Sequence, residues 1–405
     1  MKILVNCYAC SPYKGSEPGM GWKFVNELSK SHELHIITEG KFEKDIRKYF
    51  SEHPEREKDF HFYFLWKNRH KKLRKIWPPS YYWFYKGWQK RAYKLAVELE
   101  KKENFDIIHQ LNMVGFREPG YFWKIDKPYV WGPIGGFGIT PWCMIPSMGL
   151  KGALYYICYN LINIWQMHTM SRVKKAMKKA DMLISATVKT RDAILRLFGK
   201  DSVIIPEVGL EEIANNALAK REKGEKLKIC WSGQHTPGKS LNLLLDALAV
   251  SGRDDYELHV IGQGSQTNKW KKKAVKLNLS KYITWYGWVE RSQALSIMQS
   301  CHLFCITSLA DLTSTVLLEA LSYGMPVIAL DHCGFSNVLH DGCGRKIAIH
   351  NKTQVIRDFA KAIDELADDE SLRRHLSEGA RKRATEYNWQ DKAKTINSIY
   401  ETLSI

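Results

Sequence analysis

The chain has 405 residues, 44% hydrophobic and 26% charged, an ordinary globular composition with length enough for two or three domains. Its formal net charge of +18 favours polyanions such as nucleic acid, anionic lipid or phosphorylated small molecules. Nine scattered cysteines fit a reducing compartment and exclude a disulfide scaffold, and no apolar run reaches the ~18 residues that span a bilayer.

The opening "MKILVNCYACS" runs straight into a strand and lacks a signal-peptide pattern. Its Cys7 and Cys10 form a C-x-x-C pair, but without the flanks of a redox motif and without a second pair at zinc-finger spacing. Next comes "SPYKGSEPGMGW", with Gly15, Gly19 and Gly21 around a helix start, where backbone can approach a ligand closely and an anion is favoured. Glu17 is out of place in a phosphate cradle and suggests contact with a neutral polar group such as a sugar. Lys67 to Lys94 contains no acidic residue and interleaves cations with Trp and Tyr. A solvated basic face is one reading and an anionic membrane surface the sharper one. Nucleic acid ranks below both, because no nucleic-acid-binding signature accompanies the stretch.

Further along, the strand "FDIIH" ends at His109, followed by Asn112, and "PYVWGPIGG" carries Gly135 and Gly136. The apolar stretch from Gly149 to Met167 is interrupted by Lys151, Asn160 and Asn163, so it is a buried helix or one lying in a membrane interface. A polar linker from Asn215 to Lys228 separates two halves, each an alternation of apolar strands and amphipathic helices. That alternation predicts an α/β fold of two Rossmann-like, doubly wound domains, at 1–215 and 216–385, with a closing helix at 386–405. Facing domains of this class imply a ligand cleft between the carboxyl ends of the sheets.

The second half opens with "GQHTPGKS", Gly233 to Ser240, which fits G-x-x-x-x-G-K-[ST] between a strand and a helix. A P-loop ATPase or kinase is therefore one reading, with Lys239 and Ser240 on phosphate and Mg²⁺. Pro237 counts against it, since the loop works by presenting backbone amides and proline has none to donate.

The stretch "ADLTSTVLLEALSYGMPVIALD" resembles the C-terminal signature of glycosyltransferase family 4, retaining enzymes of the GT-B architecture. Asp311 and Glu319 stand as the ends of its E-x7-E element. The loops "GSEPGMGW", "FDIIHQLN", "ELHVIGQGS" and "ITWYGWV" are similar to further family segments, and "GFREPGYFWKIDKPYVWGPIGG" resembles members that build bacterial surface polysaccharides. The resemblance implies a nucleotide-diphosphate sugar as donor substrate, UDP or GDP, with no further cofactor. It implies Lys239 on the diphosphate, Asp311 on the donor sugar and Glu319 on the ribose. Gly15, Gly233, Gly262, Val289, Thr313, Ser314 and Thr315 would complete the donor side. Gln234 stands where the family carries arginine, so one of two expected cations is replaced. His109 would contact the sugar, and Glu17, Asn112, Gly135 and Gly136 would line the acceptor side.

The chemistry accounts for these residue types. As the diphosphate leaves, negative charge grows on it, so a lysine and oriented amides stabilise the transition state more than the ground state. No Asp-x-Asp triplet occurs in the chain, in keeping with a metal-independent reaction. The expected protein is a cytoplasmic glycosyltransferase, peripheral at the inner face of the membrane, acting on a glycan or lipid-linked acceptor and binding no nucleic acid. A nucleotide-sugar epimerase or phosphorylase on the same fold is the remaining alternative.

Overall fold

The computed structural model of the chain describes residues 1–68, 80–211 and 220–404. Strands β1 (Lys2–Cys7), β2 (Glu33–Glu39), β3 (Phe60–Leu65), β4 (Ile107–Asn112), β5 (Tyr129–Ile134), β6 (Met182–Ser185) and β7 (Val203–Ile204) form one sheet in the order β3-β2-β1-β4-β5-β6-β7. Strands β8 (Leu227–Ser232), β9 (Tyr256–Ile261), β10 (Ile283–Gly287), β11 (Leu303–Ile306), β12 (Val327–Leu330) and β13 (Gly344–Ile347) form a second, ordered β10-β9-β8-β11-β12-β13. Every pairing between named strands is parallel. The chain is therefore α/β with two doubly wound sheets.

Parallel sheets sandwiched by helices bury both faces, so their strands are mostly apolar, with buried polar exceptions such as Asn6, His109 and Asn112 in the first sheet. The second sheet shows the two faces residue by residue. Ile229, Trp231, Leu303, Cys305, Ile328 and Leu330 point into one core. Their neighbours Cys230, Phe304, Ile306, Val327 and Ala329 point into the other, as the two-residue period of a strand demands.

Strand order reverses between β1 and β4 in the first sheet and between β8 and β11 in the second. Loops leaving the carboxyl ends of such strands diverge to opposite faces and open a crevice, the usual ligand position in open α/β sheets. The segments carrying Lys239 and Asp311 follow β8 and β11. Those carrying Glu17 and Asn112 lie just beyond β1 and at the end of β4.

By contacts, residues 1–137, 166–207 and 389–405 form one unit and 138–165 with 208–388 the other. A single boundary near 215 thus misses an excursion, because 138–165 packs with the second half. Met144 and Met148 are buried in the same core as Leu241 and Leu244. Asn242 Nδ2 donates to the Ser147 carbonyl at 3.2 Å. The last helix, Trp389–Leu403, is held in the first unit: Trp389 meets Phe24 edge-on at 5.0 Å, and Lys392 donates to the Pro206 carbonyl at 2.8 Å.

Among the described residues no helix is long and apolar enough to cross a membrane. Residues 69–79 of the basic stretch at 67–94 lie outside the described residues. In the described part, the Lys67 ammonium sits 3.8 Å from the centre of the Tyr81 ring, and Tyr82 and Trp83 are exposed.

Candidate functional site

In the second unit β8 ends at Ser232 and the chain turns through a short 3₁₀ segment, Pro237–Lys239, before the helix Leu241–Ser251. The Lys239 ammonium is ion-paired with the Asp311 carboxylate, and both side chains are about one-fifth exposed. Asp311 is itself fixed, its second oxygen accepting the Leu312 N–H at 3.0 Å. Thr307 locks the lysine's backbone: its hydroxyl donates to the Lys239 carbonyl at 2.8 Å and accepts the Trp231 indole N–H at 3.1 Å.

The amide pattern of this loop decides between the two phosphate readings. The N–H groups of Gly233, His235, Thr236 and Lys239 donate to the carbonyls of Ile261, Gln263, Gln234 and Thr236. Pro237 has no N–H to give. The Ser240 hydroxyl, fully buried, donates to the Pro237 carbonyl at 2.8 Å. A P-loop needs these amides turned inward on a phosphate and the serine on a metal ion. Here the serine is spent inside the loop, and the amides are spent either there or on Ile261 and Gln263 around the end of β9, so the P-loop resemblance is one of letters.

Three glycines show why the loop has its shape. Gly262 has φ +117°, and a Cβ there would lie 2.0 Å from the Gly233 carbonyl oxygen. A Cβ on Gly264 would lie 2.6 Å from the His235 carbonyl oxygen. One on Gly238 would lie 2.2 Å from the Tyr156 hydroxyl. Gly233 and Gly262, both expected on the donor side, thus touch each other through bare backbone. His235, which the motif reading passed over, is fully buried among Trp231, Trp270 and Trp285. Burial lowers its pKa to about 4, so it is neutral, with Nδ1 bonded to the Thr267 hydroxyl at 2.8 Å.

Beyond β11, Thr313 and Ser314 are buried and Thr315 opens the helix Thr315–Ser322. That first turn leaves backbone N–H groups without an intrahelical partner, a favourable place for an anion. Glu319 lies on the same helix, mostly buried and paired with Arg291 at 2.6 Å. Burial pushes its carboxyl pKa up, and the Arg291 guanidinium partly offsets this. Nothing in the motif pattern marked Arg291. Val289 is partly buried against the same core as Leu317. Gln234, at the position where an arginine is expected, is exposed.

In the first unit three loops lock together at the switch point. The Asn112 amide accepts the Ala9 N–H at 3.1 Å and donates to the Ala9 carbonyl at 2.7 Å. Glu17 accepts the Val114 N–H at 2.6 Å, and burial raises its pKa. Gly135 donates to the Val114 carbonyl at 2.8 Å and accepts from Phe116 at 3.1 Å. Gly136, at φ +88°, follows. Gly15 precedes the helix Ser16–Leu28 in open space. Glu17, Asn112 and Gly135 are therefore brought together.

His109 is corrected by the structure. It is fully buried, Nε2 donating to the Gly132 carbonyl at 2.8 Å and Nδ1 accepting from the Tyr400 hydroxyl at 2.5 Å. Burial lowers its pKa to about 4. A neutral imidazole with both nitrogens engaged is a core tie between β4 and the last helix, with nothing left for a substrate. Cys7 and Cys10 are likewise buried, and burial holds the Cys10 thiol well above its usual pKa. A redox role needs the opposite, an exposed thiolate. One group of metal-ligating side chains converges among the described residues, Glu33 with His35 and His61. The Lys2 ammonium lies 3.8 Å from the Glu33 carboxylate, and the two rings stack 4.4 Å apart, an arrangement that spends the cluster on itself.

Residues 214–383 match the family described as glycosyl transferases group 1, which places Lys239, Asp311 and Glu319 inside the matched domain. The chain is 26% identical over 215 residues to a phosphatidyl-myo-inositol mannosyltransferase of Mycobacterium leprae, covering 52% of this chain and 56% of that protein. It spans about half the length of the curated relatives it matches. The lipopolysaccharide outer core galactosyltransferase WaaB aligns over 100% of both chains with a TM-score of 0.68 at 15% identity. The Anabaena protein HepE, solved in complex with UDP, aligns over 100% of both chains with a TM-score of 0.63 at 15% identity. Residues 214–383 are thus similar to a glycosyl transferases group 1 domain, and the chain has the α/β GT-B fold.

Proposed function

We propose that this protein is a retaining, metal-independent glycosyltransferase. It moves a sugar from a UDP or GDP donor to a glycan or lipid-linked acceptor in surface-polysaccharide or glycolipid synthesis. The observation that carries the reading is the Lys239–Asp311 pair at the switch point, with Glu319 on the helix that follows. A bound diphosphate competes with Asp311 for the lysine. As the sugar–phosphate bond breaks, Lys239 and the first amides of Thr315–Ser322 face the charge that develops on the leaving group. Asp311, released, is free to accept hydrogen bonds from sugar hydroxyls. Glu319 serves the ribose, its burial strengthening each hydrogen bond it accepts. UDP in the HepE structure supports a nucleotide donor.

The same reading puts the protein at the inner face of a membrane through the basic stretch at 67–94. Anionic vesicles should bind it less well in high salt, and less well after charge removal at Lys71, Lys72, Arg74 and Lys75. The enzymatic reading is tested by thermal shift against UDP, GDP and their sugars, with Mg²⁺ and with chelator. A ligand at 100 times its Kd stabilises by about 2.7 kcal/mol. Equal shifts in chelator support the proposal, and a shift by ATP that needs Mg²⁺ contradicts it.

A further inference from the structure

The helix Gly149–Thr169 turns a broad apolar face to solvent. A helix on a soluble protein buries its apolar stripe and exposes its polar one. This one buries Asn160 and Asn163 completely. Asn160 accepts the Thr140 N–H at 3.0 Å and donates to the Thr140 carbonyl at 2.8 Å, and Asn163 donates to the Gly138 carbonyl at 3.0 Å. Meanwhile Leu150, Leu154, Tyr155, Leu161, Ile162 and Trp165 are all more than half exposed, Leu150 at 89% and Trp165 at 64%. At 100° per residue these six fall within an arc of roughly 140°, with Gly152, Asn160 and Asn163 on the far side. The polar side chains clamp the helix to its own loop, and the apolar face is turned to solvent.

We propose that this face lies in the interface of an anionic lipid bilayer. Charge selects that occupant. From Lys127 to Ala180 there is no acidic residue, while seven lysines and arginines occur. Lys151 sits within the apolar face, where its long stem can lie along the hydrocarbon with the ammonium at the head groups. Exposed Trp and Tyr at the face are the residues that favour the head-group level. A second copy docking by a twofold axis would set one acid-free face against another, with like charges opposed and no partner for either. At 21 residues with a polar side, the helix rests in the interface plane rather than crossing it. This inference goes beyond the enzymatic reading, since it holds whatever sugar the protein transfers.

The test uses the full chain and vesicles of phosphatidylcholine with and without phosphatidylglycerol. The wild type should sediment with the anionic vesicles. The triple variant L154Q/L161Q/W165Q should bind them at least about tenfold more weakly, since it removes apolar area that enters the lipid. These side chains are exposed, so its melting temperature should match the wild type. Cys158, free and exposed on the same face, takes an environment-sensitive dye in a C143S background, and its emission should shift to the blue on adding anionic vesicles. Equal vesicle binding by wild type and triple variant overturns the proposal. So does an unshifted dye. So does a stable dimer that the triple variant abolishes while neither protein binds vesicles.

Discussion

The Lys239 ammonium and the Asp311 carboxylate, carried by segments that follow neighbouring strands β8 and β11, neutralise each other across the switch point of the second sheet. In the proposed reaction the pair would give Asp311 two successive tasks, holding the lysine before the donor arrives and meeting the sugar afterwards. Asp311→Asn should therefore leave UDP or GDP binding unchanged or tighter while lowering kcat by 10-fold or more, an order of magnitude typical of one lost transition-state contact. Titration calorimetry alongside steady-state rates checks the split. Parallel loss of nucleotide affinity and rate would show that Asp311 only positions the lysine.

Replacing His109 should harm stability and spare donor binding. His109→Ala leaves the Gly132 carbonyl and the Tyr400 hydroxyl buried without their shared partner, at a cost of about 2–4 kcal/mol. Chemical denaturation measures that cost, and nucleotide titration should give an unchanged Kd in the still-folded fraction. A loss of turnover with full stability would return His109 to the reacting groups.

Much of this site was legible in the sequence and part was not, for identifiable reasons. Alternating apolar runs and helices pointed to the parallel sheets, because strands buried on both faces are mostly apolar. Asp311 and Glu319 read as opposite ends of a loop–helix junction, and the helix does begin between them, at Thr315. His109 misled because a strand-end histidine looks the same whether it faces a crevice or a tyrosine 291 positions further along the chain. The excursion at 138–165 was hidden for a similar reason. Its ties are Asn160 and Asn163 to backbone, and which side of a helix is buried depends on the surface it meets. Gln234 read as a missing cation; Arg291, which pairs with Glu319, carried no motif to announce it.

Gly262→Ala tests the loop's construction. The position has φ +117° and its Cβ would meet the Gly233 carbonyl oxygen at 2.0 Å, so strain and clash combine. The variant should lose about 2 kcal/mol or more of stability and weaken nucleotide binding together. Gly252→Ala is the control: φ +68° strains it, but nothing lies within 4 Å and it stands at the far end of the helix. Its loss of stability should leave nucleotide affinity intact.

Lys392 should make the first unit's stability depend on pH. Complete burial lowers its pKa from 10.5 to about 7, with Glu207 opposing the shift. Between pH 7 and 10.5 the unfolded chain holds a proton here that the folded chain does not. Stability contributed through this group therefore rises with pH across that window, by at most about 1.4 kcal/mol per pH unit. Below pH 7 both states are protonated and the dependence flattens. Lys392→Met should remove this slope in denaturation curves compared with the wild type at pH 7 and 9; identical slopes would place the ammonium in water.

The central claim is that Lys239 receives the diphosphate of a nucleotide-sugar donor. Its most direct measurement is calorimetric titration of UDP and GDP into wild type and Lys239→Ala, in chelator throughout. The account predicts that one of the two nucleotides binds the wild type without metal and binds Lys239→Ala at least about tenfold more weakly, as expected for the loss of a charge-assisted contact. Equal affinity in both proteins, or binding that appears only when Mg²⁺ is restored, would contradict it.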